Sequence, residues 1–263
     1  MTHLIQRYPL VFSLVLVLSA LLVDVYSGVV IGHLAGALTI AQLGSITGGI
    51  VALGVAVLVQ VLHWWRMIGF RSPRQWGGLL WFLPFVLYGF LPLGAGVTAT
   101  PGTLLVGIMA GFLIAFWKLS VLGILLAALA PWGKWARVGI SAVLFGVMHL
   151  GGILAGGHIA PTIMLSVSYA FLAVAYGSLV VRTGALWPAV LTYGVFLASA
   201  FAILKSAAPN LATDVSSILP AVFAAVVLAV YGLIALSGTP ASLAPREHAP
   251  SLVTGTEQNQ HVQ

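Results

Sequence analysis

The chain has 263 residues, 61% of them hydrophobic and 5% charged, with ten Lys or Arg against four Asp or Glu and a formal net charge of +6. A soluble domain carries about a quarter charged residues to keep its surface hydrated, so this composition excludes an ordinary water-soluble fold. The positive balance fits loops that face anionic headgroups and calls for no nucleic-acid partner, and the absence of cysteine removes disulfides, thiolate nucleophiles and cysteine metal sites.

Apolar stretches separated by Gly, Pro or charge predict spans near 9–31, 44–62, 78–97, 103–130, 138–156, 160–181, 188–205 and 219–237. The expected fold class is therefore all-α, a polytopic membrane bundle of about eight helices. The first run is too long for a secretory h-region and no small-residue cleavage site follows it, so it reads as a retained helix. The fourth is long enough to tilt or break. Residues 1–237 form the bundle; from 238 to 263 the chain turns to Ser, Thr, Pro, Gln and His and is expected to be a disordered cytoplasmic tail.

Orientation follows from the cations. If eight spans alternate, Arg7, Arg66, Arg71, Arg74, Lys134, Arg137, Arg182 and Arg246 fall on one side, with only Lys205 at the other. By the positive-inside rule that side is the cytoplasm of a cell-membrane protein, and both termini lie inside. Trp64, Trp65, Trp76, Trp132, Trp135 and Trp187 cluster at the same boundary, where an indole buries its body and keeps its N–H wet. The segment HWWRMIGFRSPRQWGG is expected to lie along the inner surface as an interfacial loop. Gly44 with Gly48, Gly107 with Gly111 and Gly152 with Gly156 have the spacing that lets helices approach closely in lipid, and are assigned to bundle packing.

Residues 116–150 read FWKLSVLGILLAALAPWGKWARVGISAVLFGVMHL, and 175–196 read AYGSLVVRTGALWPAVLTYGVF. These blocks, with the loop IGFRSPRQW at 68–76, resemble the CPBP family of CAAX proteases and bacteriocin-processing membrane enzymes, with a CPBP-like core at about 103–205. The resemblance implies intramembrane, metal-independent peptide hydrolysis: a glutamate from Glu-Glu-x-x-x-Arg as general base, a histidine from Phe-x-x-x-His, and a polar third motif that steadies the oxyanion. Laid on this sequence, the two glutamate positions fall on Trp117 and Lys118 and the arginine position on Leu122. Phe145 and His149 preserve the second motif. In the third, the histidine position falls on Tyr193 and the asparagine position on Leu197. The only glutamates are Glu247 and Glu257, both in the tail, and the only aspartates are Asp24 and Asp214. The resemblance therefore implies a scaffold whose glutamate chemistry is gone, with His149 a vestigial catalytic candidate.

Lys118 sits near mid-span, where a cation costs several kcal/mol unless paired or hydrated. At 1.5 Å per residue, Lys118 lies about 18 Å, Asp24 about 21 Å and His149 about 16 Å from the cytoplasmic face. Asp24 and Lys118 are thus candidates for an intramembrane ion pair, against the equal alternative of a ligand site. For His149 the alternatives are a neutral imidazole bonded within the bundle, a proton relay, or an axial ligand to a hydrophobic cofactor. Asp214 is assigned to solvent. Tyr169 and Tyr176 are assigned to helix packing. His33, His63 and His158 are scattered without ligand spacing, and no metal site is expected.

The first reading is a catalytically inactive pseudoprotease that binds a membrane protein partner, a lipid or a hydrophobic cofactor near Lys118 and His149, as a free protein or a subunit of a larger complex. No dedicated cofactor is assigned. The alternatives are an active CPBP-type endopeptidase with an altered site, resting on His149, and a small transporter using Asp24 and Lys118, disfavoured because no inverted repeat or pair of broken helices is visible.

Overall fold

A computed structural model describes residues 7–34, 38, 40–156, 158–203 and 215–239. Apart from connecting turns and loops these residues are helical, with no strand among them, in the expected order: α1 Pro9–Leu34, α2 Ile40–Val61, α3 Leu83–Phe90, α4 Pro101–Ala128, α5 Gly133–Met148, α6 Gly151–Leu154, α7 Ile159–Thr183, α8 Trp187–Ile203 and α9 Val215–Ser237. Seven helical stretches are long and apolar enough to cross a membrane, and α8 is a shorter apolar helix. Their outward faces carry Leu14, Leu18, Leu22, Ile50, Leu53 and Phe223, all exposed. In water such a surface would aggregate; in lipid it is the solvated face.

Two expectations about individual spans change. The fourth does not break: α4 runs through 28 residues, opened by Thr100, whose hydroxyl accepts from the Thr103 N–H, with Pro101 in the first turn. The third is the irregular one. It enters through a 3₁₀ helix, Trp76–Phe82, continues as α3, and leaves through a second, Leu91–Ala95. Pro84 lies in the first turn of α3 and Pro92 in the first turn of the second 3₁₀ helix. Because proline has no N–H to donate, one continuous α-ladder gives way to three short pieces.

α4 lies at the centre, packed between α2 and α8, while α7 packs against α5 and α9. Small residues make these crossings possible. A Cβ on Gly111 would stand 2.6 Å from the Ala198 backbone N, one on Gly107 2.8 Å from Phe201 Cβ, and one on Gly48 3.0 Å from Ile114. The first two glycine pairs therefore serve packing as expected. The third pair separates: Gly152 faces Thr162, whereas Gly156 has φ +89 and a Cβ there would meet open space. The same close approach recurs at Gly146 against Ala170 and at Gly232 against Ala175, two contacts that lack the four-residue spacing.

The segment 62–75 is less peripheral than an interfacial loop. Ile68 is buried, the Leu186 N–H donates to the Gly69 carbonyl (2.8 Å), the Arg74 N–H to the Thr183 carbonyl (2.9 Å), and Arg71 Nε to the Gly184 carbonyl (2.9 Å). The loop thus docks on the turn between α7 and α8. Among the tryptophans, Trp76, Trp132 and Trp135 are exposed as an interfacial belt requires, but Trp64 is buried edge-on to Phe12 and Trp65 packs on Phe70 and Phe116. Lys205, Asp214, Arg246, Glu247, Glu257 and the tail from residue 240 onward lie outside the described residues, as does the His33 side chain.

Candidate functional site: a lysine–histidine centre inside the bundle

α5 stops inside the bundle, and His149 is where it stops. Its N–H donates to the Gly146 carbonyl (2.9 Å), a 3₁₀ contact, and the Phe145 carbonyl thereby released accepts from the imidazole Nδ1 at 2.8 Å. The side chain replaces the helix's own hydrogen bond, so no carbonyl is left unsatisfied at a depth where water is scarce. A carbonyl only accepts, which assigns the ring hydrogen to Nδ1 and leaves Nε2 as a lone pair. That lone pair faces Lys118 Nζ at 2.8 Å.

Tyr169 completes the group. Its ring stacks on the imidazole (centroids 3.9 Å apart, 22° between planes) and lies 5.1 Å from Lys118 Nζ, with Trp117 on another side at 5.4 Å. The cation is thus held by one nitrogen lone pair and two aromatic faces. Phe145 closes the far edge of the imidazole at 5.0 Å. Three helices contribute: α4 through Trp117 and Lys118, α5 through Phe145 and its His149 cap, and α7 through Tyr169.

The other motif positions divide. Tyr193 on α8 is buried, edge-on to Tyr176 at 5.9 Å and alongside Phe196 at 6.2 Å; its electrostatic neighbours are Tyr169, Tyr176 and Tyr88, with the Tyr169 side chain also within hydrogen-bonding reach. Leu122 is fully buried in the core and Leu197 packs against it, half-buried. Neither can act chemically. Asp24 is half-buried on α1, its Cβ 3.4 Å from a Cβ built on Gly151. It forms no ion pair with Lys118 among the described residues; the lysine takes His149 instead. His63 and His158 are exposed and apart, and no three His, Cys, Asp or Glu come together among the described residues.

Tyr169, set aside above as a packing residue, belongs to the centre. Depth counting could have found it: it lies about 21 Å from the end of α7 at 1.5 Å per residue, the level of Lys118 and His149.

Beside the centre lies an apolar groove between α1 and α2. A cavity of about 150 Å³ is bounded by Leu16, Ala20, Val55, Trp117 and Val121, and a second of about 290 Å³ by Leu22, Tyr26, Thr47 and Ile50; Val23 and Val51 line both. Trp117 is the wall shared with the polar centre.

Fold and centre together define a polytopic helical membrane protein with a partly buried lysine–histidine pair between its helices. Residues 118–199, which hold every motif position except Trp117, match the family model Rce1-like: Type II CAAX prenyl endopeptidase Rce1-like. The resemblance to the CAAX proteases thus holds over the core, for less than half of the chain. No curated protein and no solved structure matches.

Proposed function

We propose that this chain is a non-catalytic binding protein on a CAAX-protease-like scaffold, resident in the cell membrane with both termini inside. Its ligand is an amphiphile, in the simplest case a membrane lipid. The observation that carries the reading is the 2.8 Å contact between Lys118 Nζ and His149 Nε2. A base must present a free lone pair to water or to a polarised donor; here the imidazole lone pair is spent on an ammonium group, at the position where the family resemblance places a glutamate. The remaining chemistry is donor-rich, an ammonium with the Tyr193 hydroxyl nearby, and it suits a hydrogen-bond acceptor. The groove beyond Trp117 supplies a lipid-level surface for an apolar chain.

The test is gentle detergent purification of wild type, Lys118→Met and Val51→Trp, followed by mass spectrometry of what travels with each. A stoichiometric lipid on the wild type, lost when Val51→Trp fills the groove, is expected. A protein companion in its place would move the assignment to a membrane protein partner. Recovery of the bare chain, or a companion indifferent to both substitutions, would contradict binding at this centre.

A further inference from the structure

A further cavity, of about 750 Å³, opens at the arginine-rich end of the bundle, well inside the roughly 300–1,000 Å³ range of small-molecule sites. Arg74, Gln75, Gly77, Gly78, Trp81 and Arg182 line it, with Thr183, Gly238 and Thr239; neither Lys118 nor His149 takes part. The Arg182 guanidinium lies 4.3 Å over the Trp81 ring and donates to the Ala235 carbonyl. Lys134 Nζ donates to the carbonyls of Leu236 (3.1 Å) and Thr239 (2.8 Å), tying the end of α9 to the start of α5.

Those bonds cap helix ends, and a capping role would explain Lys134 and much of Arg182. It does not explain the crowding behind them. Arg71, Arg74 and Arg137 are electrostatic neighbours, and Arg137 Nε is shielded from solvent with no hydrogen-bond partner among the described residues. Burial, and then the charge of Arg71, hold the Arg74 guanidinium below its ordinary value. Asp24 is the only carboxylate among the described residues, and it lies against Gly151 in the bundle. An anion in the cavity would relieve this like-charge crowding.

Position decides which anion. Trp76, exposed beside Gln75 and Gly77, is with Trp132 and Trp135 one of the exposed indoles, the kind of side chain that marks the headgroup layer. From the cavity mouth the third span presents Leu80, Leu83, Leu87 and Leu91, all exposed, as a stripe at three- and four-residue spacing that runs into the hydrocarbon. We infer that the cavity bounded by Arg74, Trp81 and Arg182 binds the phosphate of an anionic phospholipid, with its acyl chains along the Leu80–Leu91 stripe. Arginine forks pair with phosphate oxygens bidentately, and Trp81 walls the glycerol side.

The test is native mass spectrometry of the full-length chain in detergent, titrated with phosphatidylglycerol or phosphatidylcholine, with inorganic phosphate as competitor. Two variants probe different properties of the cavity. Arg74→Gln removes a charge from the cavity lining. Gly77→Leu fills the space without touching charge, since a Cβ there meets nothing within 4 Å. The expected result is a preference of roughly tenfold for phosphatidylglycerol, reduced at least about threefold by either substitution, and resistance to millimolar phosphate. Equal retention of the two lipids, a preference untouched by both variants, or full displacement by inorganic phosphate would overturn the assignment.

Discussion

Lys118 and His149 each solve a problem the other poses. A lysine in mid-bundle needs a partner that lowers the cost of its charge, and an imidazole whose Nδ1 is committed to the Phe145 carbonyl has one lone pair left to offer. Removing one member leaves the other exposed to that cost. His149→Ala should therefore destabilise the protein by about 1–3 kcal/mol, whereas Lys118→Met combined with His149→Leu should recover most of the loss, because buried polar pairs are replaced by apolar ones at little cost. Thermal unfolding of His149→Ala, of Lys118→Met and His149→Leu singly, and of their double variant in detergent measures this; a double variant as unstable as the sum of Lys118→Met and His149→Leu would contradict the coupling. The assigned tautomer has its own readout: ¹⁵N NMR should find the hydrogen on Nδ1 and Nε2 unprotonated, and the reverse pattern would break the hydrogen-bond assignment. The sequence made part of this legible. Depth counting put Lys118 and His149 on one level, but it put Asp24 there too. Depth says nothing of azimuth, so the choice between Asp24 and His149 as the partner of Lys118 could not be read from the chain, nor could the stacking of Tyr169.

At the scale of elements, hydropathy located the helices well because lipid leaves so little choice. A segment that spans must satisfy its backbone internally and be apolar for about 20 residues, and composition reports both. It reports local geometry poorly. The 3₁₀ stretches around α3 arise from where Pro84 and Pro92 fall in the ladder, and the end of α5 comes from a side-chain bond that competes with the helix; neither changes mean hydropathy. The glycine spacings were informative where two helices cross and silent where one glycine suffices. Gly111→Val should cost about 1–3 kcal/mol or prevent assembly, because its Cβ would stand 2.6 Å from the Ala198 backbone. Gly54→Ala, with nothing within 4 Å, should be close to neutral. Melting temperatures that ranked these two the other way would refute the α4–α8 packing.

At the scale of the molecule, Arg71, Arg74 and Arg137 are neighbours, Arg74 and Arg182 line one cavity, and the polar centre lies apart from them between α4, α5 and α7. The natural absence of cysteine makes orientation directly testable. Ser72→Cys should react with a membrane-impermeant maleimide only after the membrane is opened, and His158→Cys should react on intact cells; the opposite pattern would invert the topology. The sequence also carried the family resemblance, since the motif blocks are short and ordered, but it could not say what Lys118 does where the family pattern has glutamate. That depends on which neighbour the ammonium group meets. The central claim, that the scaffold binds without cutting, is tested by reconstituting the full-length chain in liposomes with a library of membrane-embedded peptides and following cleavage by mass spectrometry, beside His149→Ala. No cleavage above empty liposomes, in either protein, is the predicted result; peptide hydrolysis by the wild type that disappears in His149→Ala would contradict it.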